Sequence, residues 1–357
     1  MASVTLDNIG HAYDDQTPED QWPLKPLSLT FEAGRTYALV GPSGCGKTTM
    51  LNIISGLVEP KEGRVLFDGQ DVTSLPTAKR NVAQVFQFPA IYRSMNVFDN
   101  LAFPLVCRNW EPEKIKSRVE EVADILGISS KLNRAAWRLG VDEKQLVSLG
   151  RGLVRDDVAV LLMDEPLTVI DPQLKFMLRK RIKQANDVLG STIIYVTHDQ
   201  YEAMTFAEEL LVMSAGEVIQ QGTPEELFEQ PINRYVGYFI GSPAMNFLRG
   251  TSTGGALSIE GASLSVASTN VPDGEVELGI RPEYVVPATA GTANSVLVEV
   301  TGVLDQGNTR VINCQLGSQV IKMKVPREVA VPDSGEMNIA LPQDKSFVYL
   351  EGNLIGV

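Results

Sequence analysis

Runs of apolar residues alternate with stretches of helical periodicity over the first two-thirds of the chain. Continuous apolar runs lie at 36–40, 158–163 and 192–197, and their length and composition predict buried strands. Between them, residues 112–126 carry apolar side chains at helical spacing after Pro112, and Gly127 follows, which predicts a helix. Strands of this kind separated by helices predict a parallel sheet covered on both faces, with polar residues meeting at the carboxyl ends of the strands.

The pattern changes near residue 240. Short alternating strands follow, such as 296–300, 310–316 and 320–325, with almost no helical periodicity. This pattern predicts a small β-barrel or sandwich. We therefore expect two domains, an α/β domain over 1–240 with a helical subdomain at about 88–155, and an all-β domain over 241–357.

Charge and composition exclude several classes of protein. The chain has 44 acidic and 31 basic residues, a net charge of -13, which opposes binding to nucleic acid or anionic lipid. The longest apolar run is far shorter than the roughly 20 residues needed to cross a bilayer, and no signal peptide is visible, so we expect a cytoplasmic protein. Three scattered cysteines and two histidines argue against a disulfide framework and a His-rich metal cluster.

A glycine-rich segment directly follows the first apolar run. Residues 41–49 read GPSGCGKTT and match G-x-x-x-x-G-K-T, in which backbone N–H groups and a helix N-terminus enclose phosphates. Lys47 is expected to reach the β- and γ-phosphates, and the Thr48 hydroxyl to ligate magnesium. The predicted phosphate-binding residues of the loop are Gly41, Ser43, Gly44, Cys45, Gly46, Lys47, Thr48 and Thr49.

Polar side chains follow the other two apolar runs. Asp164 and Glu165 come after the second run, and His198 after the third. We expect Asp164 to hold the metal ion, Glu165 to polarise an attacking water, and His198 to contact the same phosphate. The alternatives are a solvated turn for the acidic pair and a histidine that only caps a strand.

The order of these motifs resembles that of the ATPase subunits of ATP-binding cassette (ABC) transporters. The segments GPSGCGKTT, VFQFPAIY, LLMDEP, LTVIDP and VTHD occur in the family's order. IGSPAMNF and LGIRPE further resemble the C-terminal barrel of importer ATPases for maltose, other sugars, polyols and glycerol phosphate. The resemblance implies a P-loop NTPase cassette followed by an OB-like barrel, with ATP and Mg²⁺ as cofactors.

Three further residues take their expected roles from this resemblance. Gln87 would sense the γ-phosphate and Mg²⁺ and relay the state to membrane subunits, Tyr13 would stack on adenine, and Asp171 would contact a partner's phosphate loop. A buried amide that serves only the fold, for Gln87, and a plain surface or core tyrosine, for Tyr13, are the alternatives. The implied partners are two transmembrane permease subunits, a second ATPase subunit and, indirectly, an extracytoplasmic substrate-binding protein. These partners would hold the chain at the inner face of the membrane.

One motif departs from the family. Where the family has Leu-Ser-Gly-Gly-Gln, this chain has Leu139, Gly140, Val141, Asp142 and Glu143. The family's serine and bare glycine amides bind the γ-phosphate held by the opposite subunit, whereas here two carboxylates would each oppose a phosphate by about 3 kcal/mol. We therefore expect an asymmetric heterodimer with a non-identical ATPase, unless the backbone still binds ATP and activity is only reduced.

Three functions remain open from the sequence. The first is an ATP-hydrolysing subunit of an importer for a sugar, polyol, glycerol or glycerol phosphate. The second is a regulatory scaffold that binds ATP with little turnover. The third is a soluble cassette ATPase outside transport, although no second cassette, coiled coil or basic surface is evident.

Overall fold

The computed structural model describes residues 2–268 and 270–356, apart from the side chains at 185 and 187–189. The chain folds into two compact units, Met1–Pro224 and Glu225–Val357. No helix in the described residues is both long and apolar enough to span a bilayer.

The first unit contains strands of two sheets and the helices that cover them. Its strands are β1 (Val4–His11), β2 (Leu24–Phe31), β3 (Thr36–Val40), β4 (Glu62–Phe67), β5 (Gln70–Asp71), β6 (Ala83–Val85), β7 (Leu161–Asp164), β8 (Ile193–Thr197), β9 (Glu209–Ser214) and β10 (Glu217–Gly222). Its helices are α1 (Lys47–Ser55), α2 (Val97–Val106), α3 (Pro112–Leu126), α4 (Val141–Leu153), α5 (Pro172–Leu189) and α6 (Gln200–Phe206).

The central sheet has the order β10-β9-β3-β8-β7-β6. Its strands from β9 to β6 are parallel, and β10 adds an antiparallel edge. Val40 pairs with Thr197, and Asp164 pairs with Val196, so the carboxyl ends of β3, β7 and β8 meet at one edge. The predicted parallel sheet is confirmed. A second, antiparallel sheet has the order β2-β1-β4-β5.

Local sequence explains where these elements begin and end. All five residues of β3 are buried, as its continuous apolar run requires. α3 has the predicted bounds, and Gly127 ends it with a φ of 69°, a left-handed conformation that glycine adopts at low cost. The strand within the second apolar run begins later than expected, at Leu161. Val158 and Val160 precede it and are already buried in the core.

The second unit is mainly antiparallel β structure. Its helices are α7 (Pro224–Glu229) and α8 (Arg234–Phe239), and its strands are β11 (Asn246–Thr253), β12 (Ala256–Ile259), β13 (Ala262–Leu264), β14 (Gly274–Ile280), β15 (Val286–Ala288), β16 (Ser295–Asp305), β17 (Thr309–Leu316), β18 (Gln319–Pro326), β19 (Gly335–Ala340), β20 (Phe347–Leu350) and β21 (Asn353–Ile355). The two sheets have the orders β13-β12-β11-β14-β20-β21 and β15-β19-β16-β17-β18. One apolar core fills the space between them, and the predicted all-β domain is confirmed.

Arg281 connects the helices of this unit to its sheet through hydrogen bonds. It follows β14, is fully buried, and donates to the carbonyl oxygens of Phe228 and Gly237, each at 2.9 Å, and to that of Ile240. Burial lowers the pKa of its guanidinium to about 10. α8 therefore packs within the second unit, while the division of functional domains at 240/241 stays a prediction.

Candidate functional site

The phosphate loop connects β3 to α1 at the carboxyl edge of the central sheet. Gly46 precedes α1 with a φ of 103°, and a Cβ at this position would clash with the carbonyl oxygen of Pro23. Only glycine fits this approach of two backbones. Ser43 and Gly44 are exposed at the tip of the loop, whereas Thr49 is buried in the first turn of α1.

Lys47 lies inside the loop. Its Nζ donates to the carbonyl oxygens of Gly41, at 2.8 Å, and Pro42, at 2.9 Å. The Sγ of Cys45 lies 3.5 Å from the same Nζ, and this thiol is only 3% exposed. A cation is thus held at a helix N-terminus, and both features favour an anion.

The Thr48 hydroxyl donates to Oδ1 of Asp164 at 3.2 Å. Burial and the charge of Glu165 raise the pKa of Asp164, while the hydrogen bond from Thr48 and the charge of Lys47 oppose that shift. A hydroxyl and a carboxylate are the oxygen donors that Mg²⁺ prefers, and Mg²⁺ usually takes one or two protein ligands together with phosphates. No group of three or more His, Cys, Asp or Glu side chains that could hold a metal ion occurs in the described residues.

Three side chains meet at Oε2 of Glu165. Gln87 Nε2 and Thr168 Oγ1 donate to it at 3.2 Å, and His198 Nδ1 lies 3.1 Å away. The backbone of Glu165 has a φ of 46°, which is uncommon for a residue with a Cβ. Its N–H donates to Val196 on β8 at 2.9 Å. The three sequence-predicted residues Gln87, Glu165 and His198 are therefore in direct contact.

Tyr13 lies beside the first turn of α1. Its hydroxyl is 3.1 Å from Oγ1 of Thr49, and its ring packs edge-on against His11 with centroids 4.7 Å apart. The side chain is 65% exposed. A largely open aromatic ring is thus anchored at its hydroxyl end, which leaves a face available for a planar group.

Two predicted elements lie outside these contacts. Asp171 caps α5, and its Oδ1 accepts from the N–H of Gln173 at 2.9 Å. No hydrogen bond or ion pair within the described part of the chain joins the phosphate loop to 139–143.

The start of α4 corrects the charge expected at the altered signature. Glu143 accepts from the N–H of Gly140 at 2.9 Å, and its Oε1 pairs with Lys131 at 2.5 Å and Arg134 at 3.7 Å. The hydrogen bonds from Lys131 and Gly140 lower the pKa of this carboxyl. One of the two carboxylates expected to repel a phosphate is therefore paired with basic side chains of the same chain.

The other side chains of the altered signature differ in their exposure to solvent. Asp142 is exposed and has no ion pair in the described residues, Val141 is 59% exposed, and Leu139 is buried. A free charge and an apolar side chain thus occupy the start of α4.

Sequence analysis missed two residues of the site. Thr168 lies in the loop after Glu165 and contacts it, and Gln145 on α4 donates to the carbonyl oxygens of Phe86 and Pro166. Thr168 carries no sequence signal of its own. The available signal for Gln145 was a polar residue at the start of a buried stretch of helix.

Comparisons with known proteins identify the family of the chain. A family model described as ABC transporter matches residues 24–168, and one described as MalK OB fold domain matches residues 241–285. The sn-glycerol-3-phosphate import ATP-binding protein UgpC of Jannaschia sp. (strain CCS1) is 36% identical over 96% of this chain and 95% of its own length. The oligosaccharides import ATP-binding protein MsmX of Bacillus subtilis (strain 168) is 36% identical over 98% of each chain.

A solved structure supports the same assignment for part of the chain. CbiO1 of Clostridium perfringens, described as part of the ABC transporter complex CbiONQ, is 27% identical with a TM-score of 0.57, over 64% of this chain and 90% of its own. With the relatives above, which match almost the whole chain, this similarity extends from the phosphate loop to the β-rich second unit. The chain therefore belongs to the ATP-binding subunits of ABC transporters, which bind nucleotide and act as ATPases.

Proposed function

We propose that this chain hydrolyses ATP with Mg²⁺ to energise an importer, and that Glu165 is its general base. The observation that supports this proposal is the meeting of Gln87, Thr168 and His198 at one oxygen of Glu165, on the sheet edge that also carries Thr48 and Asp164. Several donors on one carboxylate fix its direction before reaction, as a base that must face one water requires.

The binding half of the site consists of the phosphate loop, Tyr13, Thr48 and Asp164. The loop N–H groups and Lys47 bind the phosphates, and Tyr13 stacks on adenine. Thr48 and Asp164 would hold Mg²⁺, with Gln87 as a further oxygen ligand. When bound, Mg²⁺ neutralises charge that develops on the phosphates.

The hydrolytic half consists of Glu165, His198 and Gln87. Glu165 accepts a proton from the attacking water, and His198 contacts the γ-phosphate. Gln87 bonds to Glu165 at 3.2 Å, so a change at Gln87 changes the position of the base. Because Gln87 contacts both the base and the proposed Mg²⁺ site, we assign to it the relay of the nucleotide state to the permease.

The assembly follows from the named relatives. Since these are import subunits for sn-glycerol-3-phosphate and for oligosaccharides, we propose a sugar, polyol, glycerol or glycerol phosphate as the transported substrate. Two transmembrane permease subunits bind the chain at the inner face of the membrane, and an extracytoplasmic binding protein delivers the substrate. This role is better supported than a regulatory scaffold or a soluble cassette ATPase.

The second ATPase of the assembly is proposed to be a different chain. Asp171 faces its phosphate loop, and the exposed Asp142 and Val141 stand where a partner's γ-phosphate would bind. One unpaired carboxylate opposes that phosphate by about 3 kcal/mol. The partner's signature thus completes the site on this chain, and the opposite site hydrolyses poorly.

Two variants test the hydrolytic assignment. Lys47→Ala should weaken nucleotide binding because it removes the cation of the loop, whereas Glu165→Gln should preserve binding and stop turnover. Both are measured in the assembled transporter, by binding of a fluorescent ATP analogue and by phosphate release. Turnover by the Glu165→Gln transporter at the unmodified rate would exclude Glu165 as the base.

A further inference from the structure

Gln145 joins the loops of two catalytic residues. It lies in the first turns of α4, is fully buried, and its Nε2 donates to the carbonyl oxygen of Phe86 at 3.0 Å and to that of Pro166 at 2.9 Å. Phe86 immediately precedes Gln87, and Pro166 immediately follows Glu165. One amide therefore holds the backbones on both sides of the 3.2 Å contact between Gln87 and Glu165.

The orientation of this amide is dictated by its partners. Both are carbonyl oxygens, which accept and cannot donate, so only the NH₂ group fits between them. The Oε1 atom is then left buried without a partner in the described residues. A buried orphan acceptor is costly and uncommon, and here the two donor contacts offset it.

Two further side chains of α4 hold the same segment. Ser148 Oγ accepts from the N–H of Ala90 at 3.3 Å, and Arg151 donates to the carbonyl oxygen of Ala90 while its guanidinium lies 4.4 Å from the ring of Tyr92. Residues three apart share a helix face. Of these three side chains, Gln145 is the one whose hydrogen bonds also reach the loop after Glu165.

We propose that Gln145 is a positioning residue that sets the separation of Gln87 and Glu165 and ties both to α4. The inference rests on the proposed function, because it concerns the same catalytic contact. α4 begins with the altered signature at Val141, so displacement of this helix by a partner subunit moves Gln145 and the two loops together. The helix keeps this mechanical role although its first turn has lost the family's phosphate-binding residues.

The test compares Gln145→Met with Ser148→Ala in the assembled transporter. Methionine has a similar length and no donor, so both carbonyls lose their partner, while Ser148→Ala affects only the hold on Ala90. For Gln145→Met we expect kcat to fall about tenfold or more, since small misplacements at a catalytic contact are costly. The Mg²⁺ concentration for half-maximal turnover should rise. In Gln145→Met, binding of a fluorescent ATP analogue without Mg²⁺ should stay within about twofold of the unmodified value. In Ser148→Ala, kcat and the Mg²⁺ concentration for half-maximal turnover should also stay within about twofold.

A purely structural role would give a different result. It predicts a lower melting temperature with kcat per folded molecule and Mg²⁺ dependence unchanged, which would overturn the proposal. If Gln145→Met does not fold, Gln145→Asn provides the same test, because its amide is one methylene too short to reach both carbonyls. If neither variant folds, Gln145 has only a structural role and the proposal is overturned. If Lys47→Ala and Glu165→Gln also keep full turnover, the proposed function itself fails. If those two lose turnover while Gln145→Met keeps it, only this inference fails.

Discussion

The two cysteines of the first unit differ in their exposure to solvent. Cys45 is buried in the phosphate loop against Lys47, while Cys107 is exposed at the end of α2. The rate at which a cysteine reacts depends on its thiolate fraction and on its exposure to the reagent. The burial of Cys45 should therefore make it react more slowly than Cys107.

We therefore predict that thiol reagents modify Cys107 first and leave nucleotide binding intact. Slower modification of Cys45 should abolish binding, because an adduct there fills the phosphate loop, and ATP should protect it. Mass spectrometry of timed samples measures both rates, with Cys107→Ser as the control. Equal rates at the two thiols would contradict the burial of Cys45.

At the scale of elements, the start of α4 depends on a contact outside the helix. Lys131 pairs with Glu143 at 2.5 Å, and Glu143 in turn accepts from the N–H of Gly140. Because both partners are partly exposed, the pair is worth about 1 kcal/mol or less. The depressed pKa of Glu143 means that its stabilisation is present at neutral pH and is lost as the pH falls through the folded-state value.

Lys131→Met should accordingly lower the free energy of unfolding at pH 7, by about 1 kcal/mol or less. The difference from the unmodified protein should shrink at a second, acidic pH below the lowered folded-state pKa of Glu143, where the carboxyl is protonated in both states. Urea denaturation at the two pH values measures it, and Lys116→Met, an exposed lysine on α3, is the matched control. A difference that grows in acid would contradict the pairing.

The second unit offers a stronger test of an element contact. Arg281→Met removes donors to the carbonyl oxygens of Phe228, Gly237 and Ile240 and should destabilise the attachment of α7 and α8 by about 3 kcal/mol. Amide hydrogen exchange in 226–240 should then accelerate. Arg310→Met on β17 is the control, and unchanged exchange in Arg281→Met would show that other contacts hold the helices.

At the scale of the whole molecule, sequence patterns predicted what depends on local order. The bounds of β3 and α3 follow from apolar runs and periodicity, and the sheet edge that carries Asp164 and His198 follows from the parallel arrangement. The pairing of Glu143 was not predictable, because Lys131 lies in a turn without periodicity. The contacts of Gln145 depend likewise on two loops that come together only through tertiary packing.

The proposed asymmetry of the assembly belongs to this scale as well. In the hydrolytic half, Gln87 and His198 both contact Glu165, while α4 begins with an exposed apolar residue and an exposed carboxylate. In a homodimer the altered signature would face both nucleotides. In a heterodimer it faces one, and the site on this chain's phosphate loop receives the partner's signature.

Phosphate release by the purified chain, alone and then with its partner ATPase in the assembled transporter, tests this account most directly. The chain alone should hydrolyse ATP slowly. Addition of the partner should restore turnover, and Glu165→Gln in this chain should abolish the restored activity. Vigorous cooperative hydrolysis by the chain alone, or normal transport by an assembly that contains only this ATPase, would contradict the account.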